Sequence, residues 1–211
     1  MLNDNHYQKL NLKYNPFSFL NKNELLQVTY ERLNLERLSK NIIISDSCFV
    51  EFYGNKGLGK STHLQLLYSK YVKEAKFVLL KKKKKQFIEK TDKILIIDSF
   101  QLLTPTNKVY LLNNQSKLII TSHYSHSLFQ LKHKNFRAKV NFNKLELDMN
   151  LLKKIVSSKI KLAAIDSEKE LPKIKNEHLD YLLNKYKKNI RAIQASLYDA
   201  FLTTQKNFYE L

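Results

Sequence analysis

Hydrophobic positions along this chain follow two regimes that meet near residue 145. Before that point short apolar runs alternate with stretches of helical spacing, and beyond it only helical spacing remains. The runs Cys48-Phe49-Val50-Glu51-Phe52-Tyr53, Lys76-Phe77-Val78-Leu79-Leu80, Ile94-Leu95-Ile96-Ile97-Asp98, Lys117-Leu118-Ile119-Ile120-Thr121-Ser122 and Ala138-Lys139-Val140-Asn141-Phe142 predict five strands. The third is apolar at every position up to its terminal acid, the mark of a parallel strand buried on both faces. Leu64, Leu67, Tyr68 and Tyr71 predict a helix that ends near residue 72. Leu25, Val28, Leu33 and Leu38 predict another over 24–40, capped by Asn21 or Asn23. Strands alternating with helices imply an α/β core whose five-stranded, mainly parallel sheet lies between helices. Past residue 145, Leu151, Leu152, Ile155 and Val156 mark one helix, Leu179, Leu182, Leu183 and Tyr186 a second, and Ile190, Ile193, Leu197 and Phe201 a third. The expected division is a core over 1–146, with the N-terminal helical segment attached to it, and a three-helix unit over 147–211.

Glycine usage sharpens this picture. All three glycines, Gly54, Gly57 and Gly59, fall in the loop Gly54-Asn55-Lys56-Gly57-Leu58-Gly59-Lys60-Ser61-Thr62, between the first strand and its helix. The spacing G-x-x-x-x-G-K-S/T suits a polyphosphate cradle, and strand, loop and helix are the context that such a cradle needs. Glycines let backbone N–H groups turn inward, Lys60 supplies a point charge to the outer phosphates, and Ser61 offers a hydroxyl to Mg²⁺. The helix N-terminus adds its positive end. The loop therefore predicts a P-loop NTPase core that binds ATP with Mg²⁺, against the plain alternative of a glycine-rich turn that binds nothing.

Size and charge bound the rest. The chain has 211 residues, enough for one medium domain with a small appendage. Cys48 is the only cysteine and reads as a small buried apolar side chain, as in a reducing compartment. No stretch approaches the roughly 18 apolar residues of a membrane span, so a cytoplasmic protein without membrane contact is expected. With 37 basic and 19 acidic residues the net charge is +18, and Lys81–Lys85 form an unbroken run. Both point to nucleic acid as a partner, although a composition rich in Lys, Asn and Ile also arises from an AT-rich genome. His123 and His126, with His133 nearby, match no closed zinc pattern.

An α/β nucleotide-binding core followed by a helical lid resembles the AAA+ ATPases, and the likeness covers nearly the whole chain. The strand ending in Asp98, with Ser99-Phe100-Gln101-Leu102-Leu103 after it, is similar to the Walker B strand of the bacterial replication-initiator and helicase-loader branch. That resemblance makes Asp98 a partner of Ser61 in holding Mg²⁺. The strand ending in Thr121-Ser122-His123 looks like sensor 1, which implies that Thr121 or Ser122 feels the γ-phosphate. Arg191, near the start of the last helix, is similar to sensor 2, and Arg137 stands where an arginine finger acting on a neighbouring subunit is often found. By the same resemblance the protein forms a homo-oligomer or works with a partner protein, in DNA transactions such as helicase loading.

Two departures qualify the resemblance. Ser99 occupies the place of the acid that usually polarises the attacking water, and a hydroxyl is no base at neutral pH. Asp98 follows Lys60 by only 38 positions, which leaves little room for the usual helix between the second and third strands. A weak or partner-stimulated ATPase is expected, with a non-hydrolysing switch or scaffold as the alternative. The segment from Phe49 through Lys60-Ser61-Thr62-His63 also resembles the opening of thymidylate kinases, a likeness that stops beyond the loop.

Overall fold

The runs read as strands do form one sheet. A computed structural model describes residues 4–82, 86–126 and 134–203. Within it β1 (Cys48–Tyr53), β2 (Lys76–Leu79), β3 (Leu95–Asp98), β4 (Lys117–Ser122) and β5 (Phe136–Asn141) pair in the order β2-β3-β4-β1-β5. Every pairing is parallel. The three central strands are the most apolar, and β1, β3 and β4 are buried almost throughout. β2 and β5, at the edges, are only partly covered.

Because strand side chains alternate between faces, each strand feeds two cores. Phe49, Leu95, Ile97, Leu118 and Ile120 pack on one side with Leu111 and Leu112 of α5 (Pro105–Asn114). Phe52 points to the other side, where it meets Phe142, which in turn meets His63 of α4 (Lys60–Tyr71). Helices thus cover both faces of the sheet.

The helical prediction over 24–40 is corrected. Two helices occur there, α2 (Lys22–Gln27) and α3 (Leu35–Ile44). Asn21 caps the first, as expected, in a capping box with Glu24, and Asn34 starts the second by accepting a hydrogen bond from Arg37 N–H. A competing cap inside a periodic stretch restarts the helix in a new direction. A short α1 (Asp4–Lys9) precedes them.

The chain divides into two units, Glu31–Leu145 and the pair of segments Met1–Tyr30 and Glu146–Leu211. The N-terminal segment, expected with the α/β core, therefore belongs with the C-terminal helices α6 (Met149–Ala163), α7 (Asn176–Tyr186) and α8 (Ile190–Thr203). Leu12 makes an antiparallel bridge to Ala164, and the Asn11 side chain donates to Asp166 C=O at 2.7 Å and accepts from its N–H at 3.1 Å. Leu12 and Phe17 share a core with Leu152, Ile155, Val156, Leu179, Leu182, Ile193, Leu197 and Phe201, the positions picked out by helical spacing. Phe17 and Phe201 meet edge to face at 5.3 Å. Three short helices bury too little surface alone, and the N-terminal segment supplies the missing apolar wall.

Among the described residues no helix is long and apolar enough to cross a membrane.

Candidate phosphate-binding site

Between β1 and α4 the chain turns through three glycines, each with a positive φ: Gly54 at 137°, Gly57 at 88° and Gly59 at 86°. These angles lie where a Cβ is poorly tolerated. Space is also short at the two ends of the loop. A Cβ on Gly54 would stand 3.2 Å from the backbone N of Asn143, and one on Gly59 would stand 3.3 Å from Arg32 Nη2. Asn143 also accepts the Asn55 N–H through its Oδ1 at 3.0 Å, which fixes the start of the loop. Lys60, the first residue of α4, is buried and folds back into the loop, where Nζ donates to Gly54 C=O at 2.6 Å and Asn55 C=O at 2.7 Å. Leu58 is buried beneath the loop, while Asn55, Lys56 and Ser61 are exposed and Gly57 and Thr62 half-buried. The loop thus holds one ammonium group against two of its own carbonyls, beside exposed residues at its mouth.

Asp98 lies at the carboxyl end of β3, beside the loop. Ser61 Oγ donates to Asp98 Oδ1 at 3.0 Å, and Thr121 Oγ1 donates to the same oxygen. Thr121 Oγ1 in turn accepts the Ser99 N–H at 2.8 Å. Ser99 has φ 69° and ψ 42°, a left-handed conformation that is uncommon for a residue with a side chain. Ser61, Asp98 and Thr121, three residues singled out from sequence, therefore meet in one hydrogen-bonded group. Its carboxylate and hydroxyl are hard oxygen ligands of the type Mg²⁺ takes.

The other residues singled out from sequence stand elsewhere. Ser122 is fully buried, and its Oγ accepts from Tyr124 N–H at 3.4 Å. Arg137 is exposed on the edge strand β5. Arg191 is exposed in the first turn of α8, a helix capped by Asn189, whose Oδ1 accepts the Ala192 N–H at 3.1 Å. Of the lysine run, residues 83–85 lie outside the described residues, as does His133, while Lys81 and Lys82 are exposed.

Two supports of the site have no motif. Arg32, just before α3, donates from its backbone N–H to His63 Nε2 at 3.2 Å, from Nη2 to Leu58 C=O, and lies 5.5 Å from the centre of the Phe142 ring. With Nε2 accepting, the His63 proton sits on Nδ1, which donates to Gly59 C=O at 2.9 Å. Burial, the largest cause, pushes the His63 pKa down to about 4, against the opposing hydrogen bond to Gly59, and Arg32 pushes in the same direction as burial. His63 is thus a neutral strut that ties the end of the loop to Arg32. The guanidinium itself is pulled below its usual pKa by burial, and its Nε and Nη1 are buried with no hydrogen-bond partner among the described residues.

The second support is Glu51 of β1, fully buried. It accepts from His126 Nδ1 at 2.6 Å, from His126 N–H at 3.1 Å and from Ser125 Oγ at 3.3 Å, with Lys139 Nζ at 3.6 Å. Lys139 also donates to Ser125 Oγ at 2.9 Å and to the His126 carbonyl. A charge buried in a central strand needs such a set of donors. Here they pin the segment that leaves β4 onto the sheet.

No protein-family model matches the sequence, and no curated protein matches it. Solved structures do resemble the fold. NtrX from Brucella abortus aligns at a TM-score of 0.53 with 13% identity, over 88% of this chain and 54% of that one. The core has the α/β P-loop NTPase fold. The RuvB Holliday junction branch migration motor of Thermotoga maritima aligns at 0.47 with 14% identity, over 78% of this chain and 59% of that one. A DNA polymerase III gamma subunit-related protein from the same organism aligns at 0.39 with 14% identity, over 78% and 71%. The chain spans less than two thirds of the length of NtrX and of RuvB.

Proposed function

We propose that this chain is an AAA+-type protein that binds Mg-ATP at the Gly54–Thr62 loop and uses the nucleotide as a switch. The observation that carries this reading is the meeting of Lys60, held in the loop at 2.6 and 2.7 Å from two carbonyls, with the Ser61–Asp98–Thr121 group at the end of the neighbouring strands. A polyphosphate tail supplies better acceptors for Lys60 than neutral carbonyls do, since hydrogen bonds between two charged groups are roughly twice as strong. Ser61 and Asp98 are the residues that would hold Mg²⁺, which would neutralise the charge of the outer phosphates. Thr121 keeps Asp98 oriented. Arg191 on the helical unit and Arg137 on β5 are the cations proposed to respond to the γ-phosphate, the first within the chain and the second across to a neighbouring subunit. A homo-oligomer or a complex with a partner protein follows from that division of labour, and the charge of +18 favours action on nucleic acid.

A second reading has its own observation. Ser99 stands after Asp98 with its N–H committed to Thr121, and nothing in its hydroxyl can take a proton from water at neutral pH. A protein that holds ATP without turning it over would be a scaffold or a pure switch.

Titration calorimetry tests the common part of both readings. Wild type is expected to bind Mg-ATP, and Lys60→Ala to bind at least about tenfold more weakly, the equivalent of one lost charge-assisted hydrogen bond. Equal affinities would overturn the proposal. Single-turnover assays of phosphate release, with and without DNA, then separate ATPase from switch.

A further inference from the structure

Along α7, beside the side that faces the core of the helical unit, two rings flank one ammonium group and a third ring continues the row. Leu179 and Leu182 are buried in that core, and Leu183 and Tyr186 pack against it. Helical spacing of three and four residues then sets His178, Tyr181 and Lys185 in line on the neighbouring side. The His178 and Tyr181 rings have centres 6.3 Å apart and planes inclined by 30°. Lys185 Nζ donates to Tyr181 Oη at 3.1 Å and lies 5.3 Å from the centres of both the Tyr181 and the Tyr186 rings. Tyr181 is 54% exposed, yet its position is fixed through Lys185 to a ring that the core holds.

The surrounding sequence is basic. From Tyr181 to Tyr198 it carries Lys185, Lys187, Lys188 and Arg191 and no acid. The acids of α7, Glu177 and Asp180, precede that stretch, and Asp180 is engaged by Asn184 Nδ2 at 3.0 Å. The hydrogen bond to Tyr181, the largest cause, raises the Lys185 pKa, so its amine is charged at neutral pH. Burial lowers the pKa of His178, whose ring is then neutral and adds a face rather than a charge. Lys187 is exposed at the turn into α8 with φ 52°, a left-handed angle that glycine or asparagine would adopt at less cost. An exposed ring, an ammonium held over rings and a cation at the point of a turn are the parts of a surface that stacks a base and grips the phosphates beside it. A lipid surface calls for exposed aliphatic side chains, and the leucines of α7 belong to the core or pack against it. A duplex hides the faces of its bases, so an unpaired strand fits best.

We propose that this side of α7 and its turn into α8 bind single-stranded nucleic acid, with a base stacked on Tyr181 and backbone phosphates on Lys185 and Lys187. This rests on the reading that the basic charge serves nucleic acid, and it draws nothing from the glycine loop. Arg191 keeps the part given to it above and is not counted in the surface. Every base has a π-face, so little sequence preference is expected. Each phosphate contact releases counterions, so affinity falls by about 0.7 log units per contact for each log unit of salt on a single strand.

The test is the fluorescence anisotropy of labelled oligothymidylate and oligouridylate of about 20 nucleotides, longer than one such site occupies, titrated with the full chain. Binding of either strand by wild type is expected, and the ratio of the two affinities tells DNA from RNA. Tyr181→Ala is expected to weaken binding about tenfold or more, the worth of one stacked base, while Tyr181→Phe, which keeps the ring face, stays within about twofold of wild type. Lys185→Gln and Lys187→Gln combined in one chain are expected to lower the salt slope by about 1.4, the share of two contacts. Thermal melts establish that the variants fold, and calorimetry is expected to find their Mg-ATP affinity unchanged. If Tyr181→Ala and the lysine pair alter neither affinity nor salt slope, this surface is overturned while the general reading of the charge stands. A matching duplex that binds as tightly as the single strand would overturn the stacking, and loss of Mg-ATP affinity in the lysine pair would give those cations to the nucleotide instead. Binding to phosphatidylserine vesicles that the variants abolish, with oligonucleotide binding intact, would assign the surface to a membrane. If wild type binds no oligonucleotide even at low salt, the nucleic-acid reading and this surface fall together.

Discussion

Gly54 shows how narrowly the site is specified at the scale of one residue. Its φ of 137° belongs to glycine alone, and the nearest obstacle to a Cβ is a backbone nitrogen that cannot rotate away. Gly54→Ala is expected to lower unfolding free energy by about 2 kcal/mol or more, read from the urea midpoint; an unchanged midpoint would mean that the loop has another conformation. Thr121 is bound on both sides, to Asp98 and to Ser99 N–H. Thr121→Val keeps the shape but leaves that N–H without its acceptor, at an expected cost of about 1–3 kcal/mol. Circular dichroism melts in which the variant matches wild type would refute the bracing role. The cradle itself was legible in the sequence because its parts are adjacent in the chain, and Asp98 because it terminates an apolar run. Arg32 and His63 were not. Their contact joins residues 31 positions apart, and neither a lone arginine before α3 nor a histidine in the first turn of α4 carries a signal of its own. Glu51 was read as one more strand residue, since its donors come from Ser125, His126 and Lys139, far along the chain.

At the scale of elements, β1, β3 and β4 were readable because they are buried and largely hydrophobic over their length. α5 was not read from the apolar pattern, which is weak, yet its start carries a signal. Thr104 accepts the Asn107 N–H through its side chain, and Pro105 follows in the first turn. Lys134 closes the far end by donating to Gln115 and Ser116 carbonyls. Thr104→Ala is expected to cost about 1 kcal/mol, because one of the first N–H groups loses its acceptor, while Thr104→Ser leaves stability close to wild type. Equal loss in both variants would place the effect in packing instead. The break between α2 and α3 was hidden for the opposite reason. Apolar spacing continues through it, and Asn34 becomes visible as a cap only when the chain is seen to turn there.

At the scale of the whole molecule, the division into two units follows from which surfaces need covering. The sheet is closed by helices from its own stretch of sequence. The helical unit closes its core with Leu12 and Phe17 from the other end of the chain, a pairing that no local pattern announces. That unit also buries Lys159 of α6, whose pKa burial lowers to about 8. The unfolded chain holds this proton up to about pH 10.4, so it binds more protons than the native state between about pH 8 and 10. Stability contributed by this residue therefore rises across that window as pH rises, and below it a buried charge weakens the fold by about 3 kcal/mol. Lys159→Met is expected to raise the melting temperature at pH 7 and to remove the rise between pH 8 and 10, both measurable by calorimetry. A lower melting temperature would show that the amine is needed where it stands.

Leu12 and Phe17 also set an order of events during synthesis. Ribosomes release the first thirty residues long before Ile193, Leu197 and Phe201 exist, so the early segment waits without its final neighbours. Glu31–Leu145 has no such delay, since everything it needs is made in one stretch. The glycine loop is thus in place before α8 leaves the exit tunnel, and α8 closes the core of the helical unit by capturing a segment made much earlier.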